Sequence, residues 1–249
     1  MKAVILRWAA PAAILFLVFL AITLPARHVL GWLGLGQVAM QGIEGTVWTG
    51  RIARLGLGRT VVGPLAWRLR PTALLAGRLE YQVFVQSGSG GGELRAGRGL
   101  FGDPYLADVQ LSLPAADVVR QLPLSMVQSG GDFLLDVTRA SFDAGWPQEL
   151  DGLLTWQGAK VLQPAPLELG TLTMQLGLRE GQVIGTLGAA AEGPLELGGE
   201  FRLGPDRRYV LDALAKPRAA ASPDLRQNLG LLGKPDAQGR YRLQLSGAL

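Results

Sequence analysis

Residues 65–86 read LAWRLRPTALLAGRLEYQVFVQ, and two runs inside them set the fold class. Leu65, Trp67 and Leu69 alternate with Ala66, Arg68 and Arg70. Leu79, Tyr81, Val83 and Val85 alternate with Glu80, Gln82 and Gln86, broken only by Phe84. A period of two puts apolar side chains on one face of a strand and polar ones on the other, the mark of antiparallel strands with one dry face and one wet one. The same period recurs outward from this stretch. Val109, Leu111 and Leu113 alternate with Gln110 and Ser112; Phe133, Leu135 and Val137 alternate with Asp132, Asp136 and Thr138, Leu134 excepted. Further on, Leu195, Leu197, Phe201 and Leu203 share a face, as do Tyr241, Leu243 and Leu245. The 35 glycines and 15 prolines mostly punctuate these runs as turns. The expectation is a mainly β protein: a long antiparallel, curved β-sheet or a sandwich.

One run changes phase. Leu167 and Leu169 are odd-numbered, whereas Leu172, Met174, Leu176 and Leu178 are even. A one-residue slip would turn every later side chain to the wrong face, so a bulge or tight turn is expected at Gly170-Thr171. Two short helices are also expected. Ser222 can cap one, with Pro223 first, Leu225, Leu229 and Leu232 at helical spacing, and Gly233 and Pro235 ending it. Pro114–Leu122 is the other, with Pro123 as its stop. Trp48 and Trp156, Pro114 and Ser222, and Gly131 and Gly239 all stand 108 residues apart. That register suggests two duplicated halves, 42–145 and 150–249, with coincidence among Gly-rich hairpins as the open alternative.

A second decisive stretch lies near the start. Trp8–Ala26, WAAPAAILFLVFLAITLPA, carries no charge and extends about 28 Å as a helix, close to the hydrocarbon thickness of a bilayer. The reading is a transmembrane anchor over 8–26, with Trp8, Phe16, Phe19 and Ala26 as its markers. A short tail, 1–7, stays in the cytoplasm because Lys2 and Arg7 precede the span. A linker, 27–41, and a periplasmic β-rich domain, 42–249, follow. A cleavable signal peptide competes with this reading, but Leu24-Pro-Ala26 has a large residue where a small one is needed.

Cysteine is absent, so stability must come from burial and sheet hydrogen bonds rather than disulfides. The formal net charge of +4 comes from dispersed arginines, not from a basic run, and no nucleic-acid-reading motif surrounds them. Nucleic acid is therefore not expected as a partner. A basic face beside anionic phospholipid, or beside an acidic protein partner, suits a membrane-tethered domain better.

No catalytic residue is assigned. The single histidine, His28, reads as an interfacial residue with no base or ligand partner nearby. Without cysteine or a second histidine no metal site of the thiolate or imidazole kind is expected, and no cofactor is expected either. Gly97-Arg-Gly99-Leu-Phe-Gly102 matches G-x-G-x-x-G but precedes a strand rather than a helix, so it reads as a turn. Ser87–Gly92, SGSGGG, reads as a hairpin tip. Asp132 and Asp136 project from one polar strand face, the ordinary arrangement of a wet sheet.

The specific residues are two tryptophan-centred strands. Gly45-Thr-Val-Trp48-Thr-Gly50-Arg51 is followed by Val62-Gly-Pro64-Leu-Ala-Trp67-Arg and the rest of the block to Leu79, behind an anchor ending Leu-Pro-Ala-Arg. Together with Leu232-Gly-Lys-Pro-Asp-Ala-Gln-Gly-Arg-Tyr-Arg-Leu243 near the end, this order resembles the N protein of the bacterial type II secretion system over nearly the whole chain. The resemblance implies a non-enzymatic accessory part of the exporter in the inner membrane of Gram-negative bacteria, contacting other type II secretion system proteins in the periplasm. Gly45, Trp48, Gly50, Pro64 and Trp67 are the motif positions, with a structural role expected. A second reading is a lipid-binding or lipid-transfer-like β module tethered to the inner membrane, its apolar face sheltering phospholipid acyl chains.

Overall fold

The computed structural model describes residues 19, 23–27, 39–57, 60–87, 90–120, 128–163, 166–230 and 233–248. Its architecture is one antiparallel sheet of fourteen strands. They are β1 (Ala39–Gly45), β2 (Thr49–Leu57), β3 (Thr60–Val62), β4 (Leu65–Leu69), β5 (Arg78–Ser87), β6 (Gly90–Gly99) and β7 (Pro104–Pro114), then β8 (Gln128–Asp143), β9 (Trp146–Gln163), β10 (Leu167–Arg179), β11 (Gln182–Ala189), β12 (Leu195–Leu203), β13 (Arg208–Pro217) and β14 (Tyr241–Ala248). Each pairs with its sequence neighbour in an open path from β1 to β14, except that β3 pairs only with β2, and β4 takes the place beside β2. The principal contacts are between hydrogen-bonded neighbours. Of the two expected forms, the sheet is the one observed, as a single layer among the described residues.

The phase change has the expected repair. Leu167 pairs with Val161 and Leu172 with Trp156, with register shifts on both sides of Gly170. Gly170 has φ +80°, a conformation that side-chain-bearing residues adopt at a cost, and it lets the later leucines return to the apolar face.

Three short helices interrupt the strands: α1 (Pro71–Leu75), α2 (Ala115–Val119) and α3 (Pro223–Gly230). In α3 the Leu225 N–H donates to Ser222 Oγ at 3.2 Å, and Leu225 and Leu229 are buried. The expected Leu232 lies outside the described residues, as do 121–127 beyond α2. The helix α1 has no counterpart in the sequence reading. Five residues are too few to show a 3.6-residue period, and no side chain caps its start. The segment expected as a linker to residue 41 also ends early, because Ala39, Met40 and Gln41 find partners in Gly56, Leu55 and Arg54 of β2.

The two later helices cover the apolar face at the same end of the strands. Leu225 and Leu229 of α3 form a cluster with Leu195, Ala215 and Ala221, against which Leu167, Leu172 and Leu243 pack. The helices α2 and α3 begin 108 residues apart, and Gly131 and Gly239 both have positive φ. The third pair of landmarks differs in setting, since Trp48 lies in the β1–β2 turn and Trp156 inside β9.

Of the expected anchor, only Phe19 and Thr23–Ala26 are described; Trp8 and Phe16 lie outside, as does His28. Among the described residues no helix is long and apolar enough to cross a membrane. The last three residues of the expected span are tied to the sheet: Val47 N–H donates to the Leu24 carbonyl at 3.0 Å, Pro25 bridges to Thr46, and Ala26 is buried.

Candidate functional site

Strand pairing lines apolar residues up across the whole sheet. From Ile43 and Ile52 one row runs through Leu65, Val85, Gly92, Leu111 and Leu135, then Leu154, Met174, Leu187, Gly199 and Ala213, to Leu243. No member is charged or polar. At ordinary strand spacing it is roughly 60 Å long. The row one step along the opposite face is mostly polar: Glu44, Arg51, Glu93, Gln110, Asp136, Gln175, Thr186, Glu200, Asp212 and Gln244 fall on it. Only Ala66, Phe84 and Leu153 interrupt it.

A second layer would bury the apolar row completely. Instead Leu65, Val85, Leu111, Leu135, Leu154, Met174 and Leu187 are all half-buried, although they occupy interior strands. Leu111, Leu113, Phe133, Leu135 and Leu154 line a hollow of about 180 Å³ beside Val118 of α2. Phe133 and Trp156 stand 5.2 Å apart between ring centroids, with the indole N–H donating to the Gly130 carbonyl at 3.0 Å. Ile52 and Ala213 of the row are buried, and Val109 and Val137 beside it form a buried cluster with Ala140; the half-buried stretch of this apolar face is the candidate site. Its chemistry is that of a surface for apolar matter and offers no group to a reaction.

Among the described residues the polar face holds one buried charge. Glu80, 6% exposed, receives hydrogen bonds from Tyr105 Oη at 2.6 Å and Arg70 Nη1 at 2.5 Å, with Arg95 at 3.8 Å and itself paired to Asp108. Burial alone would push its carboxyl up; the Tyr105 and Arg70 bonds and the two guanidinium charges outweigh this and hold it below the ordinary carboxylate range. Because the folded value is depressed, the stabilisation is present above the unfolded value and fades as pH falls through the folded one. Urea titrations at descending pH should show stability dropping once the pH falls below the ordinary glutamate range. In Glu80→Gln this acid step should shrink, with a loss of about 2 kcal/mol at neutral pH from the stranded arginines.

A larger hollow, about 650 Å³, opens on the polar face between Glu196, Asp212 and Lys216 of β12–β13 and Lys234, Asp236 and Arg240 of the loop before β14. Arg240 pairs with Asp236 at 2.8 Å and Arg242 with Asp212 at 2.6 Å, so its charges largely answer one another. Asp132 and Asp136 pair across the sheet with Gln157 and Leu153. Gly97–Gly102 runs from the end of β6 into the turn before β7, closed by Gly102 N–H to the Gly99 carbonyl at 3.3 Å. Among the described residues no three acidic or histidine side chains cluster as metal ligands.

The five motif positions converge at one corner. Gly45 pairs with Gly50, and Gly50 with Trp67. The Trp67 indole N–H donates to the Val47 carbonyl at 3.2 Å, and the Trp48 carbonyl accepts from Leu69 N–H at 2.6 Å. Pro64, after a cis bond from Gly63, opens the strand on which Trp67 sits. The corner packs β1, β2 and β4 together and lies at the edge of the apolar face. Sequence reasoning supplied the apolar alternation but not its continuity, which depends on register.

A family model described as Type II secretion system (T2SS), protein N matches residues 36–244. Among curated relatives, the Type II secretion system protein N of Vibrio cholerae serotype O1 is 34% identical, with 91% of each chain covered. That of Aeromonas hydrophila is 31% identical over 95% of this chain and 97% of the relative. That of Klebsiella pneumoniae is 26% identical over 94% and 92%. No solved structure matches at a significant level.

Proposed function

This chain belongs to the type II secretion system protein N family, and from that premise we propose that it acts as a non-enzymatic accessory component of the secretion machinery. In this reading Trp8–Ala26 anchors it in the inner membrane and the sheet stands in the periplasm. The observation that carries the proposal is the sheet's openness. The edge strand β14 carries Leu243 and Leu245 with no proline, lysine or bulge to blunt it, and strands of that kind take up partner strands. The edge and the apolar face beside it are surfaces for other secretion subunits, and tethering raises the local concentration at which they meet.

The half-buried apolar row favours a second reading, a lipid-binding module in which phospholipid acyl chains lie against the face. One experiment separates the two. A photoreactive residue is placed at Leu245, Leu135 or Asp136 of the full chain in membranes. Protein adducts at Leu245 or Leu135, identified by mass as secretion subunits, are expected under the leading reading. Phospholipid adducts at Leu135 and not at Asp136, on the opposite face, support the second. No protein adduct at either leucine overturns the first, and no lipid at Leu135 overturns the second.

A further inference from the structure

The three most exposed large apolar side chains among the described residues sit together. Phe101 is 104% exposed, Leu75 91% and Leu100 78%, with Leu74 beside them at 45%. Leu74 and Leu75 belong to α1, which links β4 to β5; Leu100 and Phe101 form the β6–β7 turn. The two pieces are joined, since Leu100 N–H donates to the Gly77 carbonyl at 3.0 Å and Arg78 pairs with Gly99. Nothing in the fold needs these side chains. They contribute to neither apolar cluster of the sheet, and water around four adjacent bare hydrophobic groups is costly.

Their place identifies what covers them. Strand alternation puts α1, the β6–β7 turn and the β1–β2 turn at the same end of the sheet. The β1–β2 turn is where the chain arriving from residues 24–26 is fastened, through Leu24–Val47 and Pro25–Thr46. Trp48 in that turn bonds to Leu69, and α1 begins two residues later. The patch therefore faces the side from which the expected anchor comes. Arg78 and Arg98 stand exposed beside it, with Asp103 as the adjacent acid, so its rim carries a cationic excess suited to phospholipid head groups.

We infer that Leu74, Leu75, Leu100 and Phe101 form a second membrane contact, dipping into the interface of the bilayer that holds the anchor and fixing the orientation of the sheet against it. The inference rests on the anchor reading for its geometry. Because the chain has no cysteine, single cysteines can be introduced for labelling. The full chain, with Phe101→Cys, Leu75→Cys or, at the opposite end of the strands, Glu192→Cys, is labelled with an environment-sensitive fluorophore. It is then reconstituted into phosphatidylcholine–phosphatidylglycerol vesicles.

Flotation with the vesicles reports the anchor; quenching by a lipid-borne quencher reports the patch. The expected result is flotation of all three, with positions 101 and 75 quenched several-fold more than position 192. Flotation with equal quenching overturns the patch contact and leaves the anchor standing. Failure to float overturns both. Shielding of position 101 from a soluble quencher without quenching from the lipid assigns the patch to a protein partner instead, and overturns the inference.

Discussion

Replacement of Gly50 by valine is expected to open the amino-terminal edge of the sheet while leaving its centre intact. Gly50 lies beneath the Trp67 ring, and a β-carbon there would run into that ring and sit 2.6 Å from the Glu44 carbonyl oxygen. Neither neighbour can yield. The ring is held by its indole N–H on the Val47 and Thr46 carbonyls, and the Glu44 carbonyl belongs to β1. Overpacking of this kind costs about 3 kcal/mol. In a single layer whose strands touch mainly their neighbours, that loss stays local, as in repeat proteins. Hydrogen exchange should therefore show protection falling about a hundredfold in β1, β2 and β4, the equivalent of that energy, with β8–β10 unchanged. Adding Trp67→Ala to Gly50→Val should cost less than the two single changes summed, because the clash with the ring is gone and only that with the Glu44 carbonyl is left. A uniform loss of protection from β1 to β14 would show instead that the sheet unfolds as one unit.

The elements that sequence reasoning found are those whose signal is local. Period-two alternation marked β4, β5, β7, β8, β12 and β14, and the odd-to-even switch at Gly170 marked the irregularity between β9 and β10. Ser222 and Pro223 marked α3 because a capping hydroxyl and a proline act within one turn. What escaped was relational. Alternation states that one face of each strand is apolar, yet a sandwich and a single layer require the same alternation. Register and the half-burial of Leu111, Leu135 and Leu154 separate them, and both depend on residues far apart in the chain. The patch at Leu75 and Phe101 escaped for a related reason: two short apolar pairs, 26 residues apart, carry no period and become one surface only when β5 and β6 pair.

At the other end of the sheet, Leu225→Ala is expected to cost about 3 kcal/mol, within the range for truncating a buried leucine. Leu225 is 1% exposed and sits in a cluster with Leu195, Ala215, Ala221 and Leu229, packed against by Leu167, Leu169 and Leu243. These residues come from β10, β12, β13 and β14, so one helical side chain clamps four strands that otherwise meet only pairwise. The cavity left by alanine cannot be filled from the strands, whose side chains are held by their own ladders. Hydrogen exchange should show protection lost from α3 through β12–β14 and reduced in β10, while β5 and β6 keep theirs. Leu225→Met, which conserves volume, should cost less than about 1.5 kcal/mol. A cost below 1 kcal/mol for the alanine variant would mean that the ladders alone hold this end. With the clamp confirmed, α3 limits the open apolar face at this end, as α2 does beside Leu111, Leu135 and Leu154. Photoadducts at Leu135 should then persist in Leu225→Ala, while those at Leu245, on the edge strand that α3 steadies, should fall with the protection of β14.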